Sequence, residues 1–457
     1  MNYLSTRGGV EPVGFSDAVM MGQARDGGLL IPETIPHVGD HIDTWSALDY
    51  TGLSLEIMKL FVDIASPDVE GLVQRSYEAF DEAEVTPLRQ VGPLSILELF
   101  HGPTLAFKDL ALQFLGNLFS HLLAERGGEL NILTATSGDT GSAAIQGIRG
   151  REHIRVFVMH PRGRISRSQE LQMTSVLDEN VHNLAIEGTF DDCQRIMKAI
   201  FGDLEFRDRC RLGSANSINW ARVLAQIVYY AYATLRIIRE TGAPAVRIAV
   251  PTGNFGNIFA GYVCGRMGFP IRKLILATNE NDILARFFNT GEYRSSDVQA
   301  TISPAMDIQV ASNFERYLYY HVGEDGSRVR TLMKQFSQEG KLHLDLSKMK
   351  NPVIASGSGN TEATLSTIKR YYEEYGYLLD PHTAVGVSVA ERHVVDNEPM
   401  VCLATAHPAK FGDAIEQAIG QDIAHHPVLD SLVDQETRVT VLPASVDAVR
   451  DYLVSRI

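Results

Sequence analysis

Lys108 stands where an apolar run, a turn and a helix meet, in Glu98-Leu-Phe-His-Gly-Pro-Thr104-Leu-Ala-Phe107-Lys108-Asp-Leu. Residues 95–100 are apolar and β-branched over strand length, His101-Gly-Pro-Thr104 breaks the run, and residues 108–126 carry apolar side chains at helical spacing. The pattern predicts a helix that Lys108 opens. Its side chain then meets the positive end of the helix dipole and the ring of Phe107. Both are expected to favour the neutral amine that a Schiff base needs. A lone lysine opening a helix is ordinarily solvated, so the assignment depends on what accompanies it.

Four further segments bear chemistry. Pro251-Thr-Gly253-Asn254-Phe255-Gly256-Asn257 follows a β-branched run and precedes a helical one, so consecutive backbone amides can converge on an anion at a helix amino end. It lacks the lysine and serine of a nucleoside-triphosphate loop. Thr134-Ala-Thr-Ser137-Gly-Asp139-Thr140-Gly also joins strand to helix, and its hydroxyls and amides suit a carboxylate or a helix cap. Leu403-Ala-Thr405-Ala-His-Pro-Ala-Lys410 puts Thr405 at a strand end. In Ala215-Asn216-Ser217-Ile-Asn219-Trp-Ala-Arg222, Asn216 and Ser217 read either as a helix cap or, with an arginine one to two turns on, as an anion grip. Ser356-Gly-Ser-Gly-Asn360 reads as a solvent turn.

The lysine segment resembles the pyridoxal-phosphate attachment site of the serine/threonine dehydratase group. Its wording, His-Gly-Pro-Thr-Leu-Ala-Phe-Lys-Asp, is similar to that of the threonine synthase family, and with the other motifs the resemblance runs from Tyr3-Leu-Ser-Thr-Arg-Gly8 to Lys410. It implies a fold of the tryptophan synthase β-like kind, fold type II among pyridoxal-phosphate enzymes, and pyridoxal 5'-phosphate as cofactor. Lys108 would hold it covalently, with Phe107 and Asp139 beside the ring, residues 253–257 on its phosphate, and Thr405 at the pyridine nitrogen. Ser137 and Thr140 would receive the substrate α-carboxylate. Asn216, Ser217 and Arg222, with Lys410, would hold the substrate's own phosphate. Many relatives carry Asn where Asp139 stands. The reaction implied is conversion of O-phospho-L-homoserine and water to L-threonine and phosphate. The rivals are a relative that eliminates phosphate but releases 2-oxobutyrate, a dehydratase without the second phosphate site, and a non-catalytic binding protein on the same fold.

These loops need elements to hold them. Strand-like runs alternate with helical ones: residues 130–134, 154–159, 181–186, 246–250 and 273–277 precede helices expected near Ser142, Ser166, Thr189 or Asp191, after 257, and near Asp282. The expectation is an α/β, doubly wound, largely parallel fold, with ligands at the carboxyl ends of strands. Residues 1–85 read as an N-terminal unit of turns and helices around 45–65 and 68–79. Residues 86–425 read as the catalytic part, with a smaller subdomain at about 110–235 and a helical insertion at about 297–346; residues 426–457 form a C-terminal segment. At 457 residues several cores are expected. A formal charge of -15 argues against nucleic acid, four scattered cysteines against a metal or disulfide framework, and the N-terminus and residues 218–238 against a leader or a membrane span. The expectation is a cytoplasmic monomer or homodimer acting on a small molecule.

Overall fold

Strands buried at most of their positions must be covered on both faces, and here two sheets take them up. In this computed structural model, which describes residues 1–346 and 353–457, the larger sheet has six strands. Their order is Ile354–Ser358, Ile271–Thr278, Val246–Pro251, Met400–Ala404, Leu94–Glu98 and Leu88–Val91; all neighbours are parallel except the last pair. The second sheet, Thr440–Pro443, Val181–Glu187, Ile154–Pro161, Leu130–Ala135 and Leu212–Gly213, is parallel throughout. Helices cross between strands in the expected doubly wound order.

Helix Lys108–Arg126 is buried along most of its length, as a helix apolar on nearly every face must be. It packs on helices Ser66–Tyr77, Trp220–Thr241 and Asp139–Ile148. The last contact is unusually close. A Cβ on Gly147 would lie 2.4 Å from the Leu112 carbonyl oxygen, and one on Gly116 would lie 1.9 Å from that of Gly147. Two glycines therefore let the backbones touch, which brings the amino ends of the two helices, and so Lys108 and Asp139, side by side.

Several elements differ from expectation. The first residues are not only turns and helices: Asn2–Ser5 pairs antiparallel with Val13–Gly14 and Leu30–Pro32. Tyr3, Phe15 and Phe61 from this segment share a core with Trp220, whose ring lies 5.8 Å from that of Tyr3. The stretch 45–65 is not one helix, because Asp49 accepts the Gly52 N–H at 2.7 Å and caps a new helix, Tyr50–Lys59. Between 297 and 346 lie helices Phe314–His321 and Gly326–Glu339, but Lys341–His343 is a strand paired with Glu292–Arg294. Gly357 belongs to an edge strand, Gly359 follows its end, and Asn360 caps helix Thr361–Tyr375. Among the described residues no helix is long and apolar enough to cross a membrane.

Candidate active site

Lys108 does open its helix, and it is buried. The loop before it is held from the far strand: the Phe107 N–H donates to the Thr405 carbonyl at 2.9 Å, and the His407 N–H donates to that of Leu105 at 3.0 Å. This pairing puts Lys108, Thr405 and Lys410 in one place. Asp109, next on the helix, accepts the Thr104 N–H at 2.8 Å and its hydroxyl at 2.7 Å, tying the turn to the helix start. Burial pushes the Asp109 carboxyl up to about 6.

The Lys108 ammonium donates to Asp139 Oδ2 at 3.0 Å. Asp139 begins helix Asp139–Ile148, three residues earlier than the start expected at Ser142, and a carboxylate there gains from the helix dipole. Its Oδ1 accepts Gln169 Nε2 at 2.8 Å and lies 3.1 Å from Lys410 Nζ. Gly138 permits this approach: it has φ +136°, and a Cβ would fall 2.3 Å from the Gln169 side chain. Burial alone would raise the Asp139 pKa, but Lys108, Lys410, His382 and the Gln169 amide outweigh it and hold the carboxyl well below the usual range. Burial lowers the Lys108 pKa, against Asp139 and with help from Lys410 and Arg222. The Phe107 ring does not join in as expected. Its centroid lies 5.1 Å from the ammonium, a cation–π contact that favours the charged form.

At residues 252–257 the chain leaves strand Val246–Pro251 and enters helix Gly256–Arg266. Phe255 has φ +66°, a conformation costing an ordinary residue roughly 1–2 kcal/mol. Stacking on Phe288 at 5.9 Å, with Phe314 and Tyr317 edge-on, holds it there. The N–H groups of residues 253–258 take no part in the hydrogen bonds among the described residues. Asn257 Oδ1 accepts from Tyr229 and Tyr230, leaving its buried Nδ2 without a partner among the described residues. These are free donors at a helix amino end, as an anion requires.

The segment 215–222 faces the same space. The helix cap is Asn219, whose Oδ1 accepts the Ala221 N–H at 3.1 Å, so neither Asn216 nor Ser217 caps, and Arg222 sits in the first turn. Burial pushes Arg222 down to about 10, still charged at neutral pH; one Nη donates to the Ala215 carbonyl and Nε has no partner. Asn216 accepts from Thr134 Oγ1 at 2.5 Å. Asn313, which carried no sequence signal, donates through Nδ2 to Ser217 Oγ at 3.0 Å and to the Asn254 carbonyl at 3.1 Å, bridging the two loops.

Lys410 is placed differently from expectation. Its ammonium donates to the Thr104 carbonyl at 2.6 Å and to Gln172 Oε1 at 2.7 Å and is ion-paired with Asp139, not with Asn216 or Ser217. Thr405 is buried, and its N–H donates to Thr383 Oγ1. Thr383 and His382 are in turn held by the Asp380 carboxylate at the cap of helix Pro381–Ala390. An Asp-Pro pair before an apolar helix was the local signal for this cap. Ser137 and Thr140 are half-buried at the rim.

The residues present fit pyridoxal phosphate: a buried lysine for covalent attachment, unpartnered donors at a helix amino end, and an excess of positive charge in Lys108, Lys410 and Arg222 over Asp139 and Asp109. Residues 2–77 match the threonine synthase N-terminus family, 81–355 the pyridoxal-phosphate-dependent enzymes, and 383–453 the threonine synthase C-terminal family. Threonine synthase from Pseudomonas aeruginosa is 46% identical over 99% of this chain and 98% of its own. That from Schizosaccharomyces pombe is 43% identical over 99% of this chain and 94% of its own. The crystal structure of a PLP-bound threonine synthase from Brucella melitensis matches with a TM-score of 0.94 and 45% identity, covering 100% of this chain and 99% of that one. With all three segments matched in order, the chain belongs to the threonine synthase family of pyridoxal-phosphate-dependent enzymes.

Proposed function

We propose that this chain converts O-phospho-L-homoserine and water to L-threonine and phosphate, the last step of threonine biosynthesis, as a carbon–oxygen lyase. The observation that carries this reading is the Asn313 bridge, because it joins two anion-receiving loops that open on one lysine. A dehydratase needs one such loop; a phosphorylated substrate on a phosphorylated cofactor needs two.

In this reading Lys108 attaches the cofactor, residues 253–257 hold its phosphate, the Thr405 hydroxyl meets its ring nitrogen, and Phe107 and Asp139 flank the ring. When bound, pyridoxal phosphate supplies an electron sink that acidifies the substrate's Cα–H and then its Cβ–H. Ser137 and Thr140 orient the α-carboxylate. Burial and the neighbouring cations lower the Lys108 pKa, which favours the neutral amine that takes the proton from Cα and then from Cβ. Asn216, Ser217 and Arg222 hold the γ-phosphate, which leaves as the Cβ proton is removed. A proton is returned at Cγ, the hydroxyl of water adds at Cβ, and the Cα proton is restored before Lys108 closes the cycle. We assign residues 1–85 as the N-terminal unit, 86–425 as the catalytic part and 426–457 as the C-terminal segment of a cytoplasmic monomer or homodimer.

Reconstitution of purified protein with pyridoxal phosphate is expected to give a visible band from cofactor joined to Lys108. Phosphohomoserine should then yield threonine and phosphate, identified by mass spectrometry. Lys108→Ala should lose both band and turnover; a variant keeping both would falsify the assignment. Release of 2-oxobutyrate in place of threonine would establish the rival lyase, and a folded wild type without the band would establish a binding protein.

A further inference from the structure

A buried carboxylate between two lysines is an unusual neighbour for a lysine that must become neutral. Asp139 offers one oxygen to Lys108 at 3.0 Å and the other to Lys410 at 3.1 Å, and all three side chains are buried. A single ion pair would hold Lys108 charged. The second cation competes for the same carboxylate and repels Lys108 across it. Lys410 is itself rigidly seated, on a short turn at Pro408–Phe411, by the Thr104 carbonyl and by Gln172 Oε1. It has two neutral acceptors and shares its one carboxylate with Lys108.

We propose that Lys410 is a positioning residue, the counter-charge that keeps Asp139 anionic while loosening its hold on Lys108. It thereby lets a carboxylate stand where a neutral amide would serve alone. This rests on Lys108 as the attachment point of the cofactor. The other groups facing Asp139 are Gln169 from helix Arg167–Thr174 and His382 from helix Pro381–Ala390; Asp109 bears on Lys410, and Arg222 on Lys108. None of them contacts both Asp139 oxygens or both lysines. The pair Asp139 and Lys410 therefore behaves as a unit, removable together at less cost than singly.

The test is a cycle of Lys410→Gln, Asp139→Asn and the double variant, read in two ways. With cofactor bound, the pH midpoint of the visible band reports the nitrogen of Lys108. Lys410→Gln should raise it by at least one pH unit, Asp139→Asn should lower it, and the double variant should lie between. Without cofactor, the thermal midpoint should fall in each single variant and recover in the double variant, with Lys410→Arg close to wild type. A merely structural Lys410 predicts a lower melting point with no movement of the band midpoint. An unshifted midpoint in Lys410→Gln, or a double variant no better than the worse single one, overturns the proposal. If Lys410→Gln does not fold, recovery in the neutral pair decides. Absence of the band in wild type would instead overturn the reading of Lys108, and the cofactor-free melts would still decide the pairing.

Discussion

Arg222 is the residue whose surroundings say most about its use. Among the described residues its buried guanidinium has no carboxylate partner; one Nη donates to the Ala215 carbonyl, and Nε makes no hydrogen bond there. A structural arginine at such depth would be expected to have its charge paired, because an unpaired buried charge costs several kcal/mol. Ser217, bridged through Asn313 to Asn254, lies on the approach to the same helix start. Arg222→Ala is expected to remove about 1.5–3 kcal/mol of charge-assisted binding, roughly 10- to 150-fold in KM for phosphohomoserine. The visible cofactor band should stay as in wild type. Steady-state kinetics beside an absorbance spectrum checks this, and parallel loss of both would move Arg222 to a structural role.

At the scale of elements, the site depends on how closely two helices approach. Lys108 and Asp139 are first residues of helices Lys108–Arg126 and Asp139–Ile148. Their axes are drawn together at Gly116 and Gly147, where a methyl group would lie 1.9–2.4 Å from a carbonyl oxygen. Backbone cannot yield as a flexible side chain would. Gly147→Ala should therefore force the helices apart, at a cost of about 1–3 kcal/mol in stability. It should also weaken the visible cofactor band, although residue 147 is two turns from Asp139. Denaturant unfolding with a cofactor titration measures both, and a variant as stable as wild type with unchanged affinity would show that the close approach is dispensable.

The whole molecule carries a pH dependence that the site alone would not reveal. Burial pushes His160, in strand Ile154–Pro161, and His407, after strand Met400–Ala404, down to about 4. Unfolded, both titrate near 6.5. Between pH 6.5 and 4 the unfolded chain takes up protons that the folded chain refuses, so their stabilisation is present above that window and lost as pH falls through it. Asp109 works in the opposite sense, because its carboxyl is raised to about 6 and the folded state binds its proton first. His182 is pushed down to about 4 in the same way, so three histidines against one aspartate leave a net loss of stability on acidification. Thermal melts of the cofactor-free protein between pH 7 and 4.5 should show it. His160 is fully buried, so His160→Leu should flatten the slope; a pH-independent wild-type melt would remove this account.

What could be read from the chain was local. The bounds of helix Lys108–Arg126, the strands at 130–135, 154–161, 181–187 and 246–251, and the four loops at their carboxyl ends follow from apolar periods and from glycine, proline and capping residues within a few positions of one another. Those signals also put Lys108, Asp139 and Arg222 in the first turns of helices and Thr405 just after a strand. The misread parts share a cause. Asn2–Ser5 is a strand because Leu30–Pro32 comes back to pair with it. Lys410 belongs to Asp139 and Gln172, the latter 238 residues away, and Asn313 serves Ser217 from a distance of 96. A hydrogen bond between distant residues imposes no spacing on the sequence around either partner. Sequence alone therefore determined which residues could do the chemistry and on which loops they stand. Only the tertiary structure decided which charges face each other, because burial and proximity, not residue type, set the balance at Lys108.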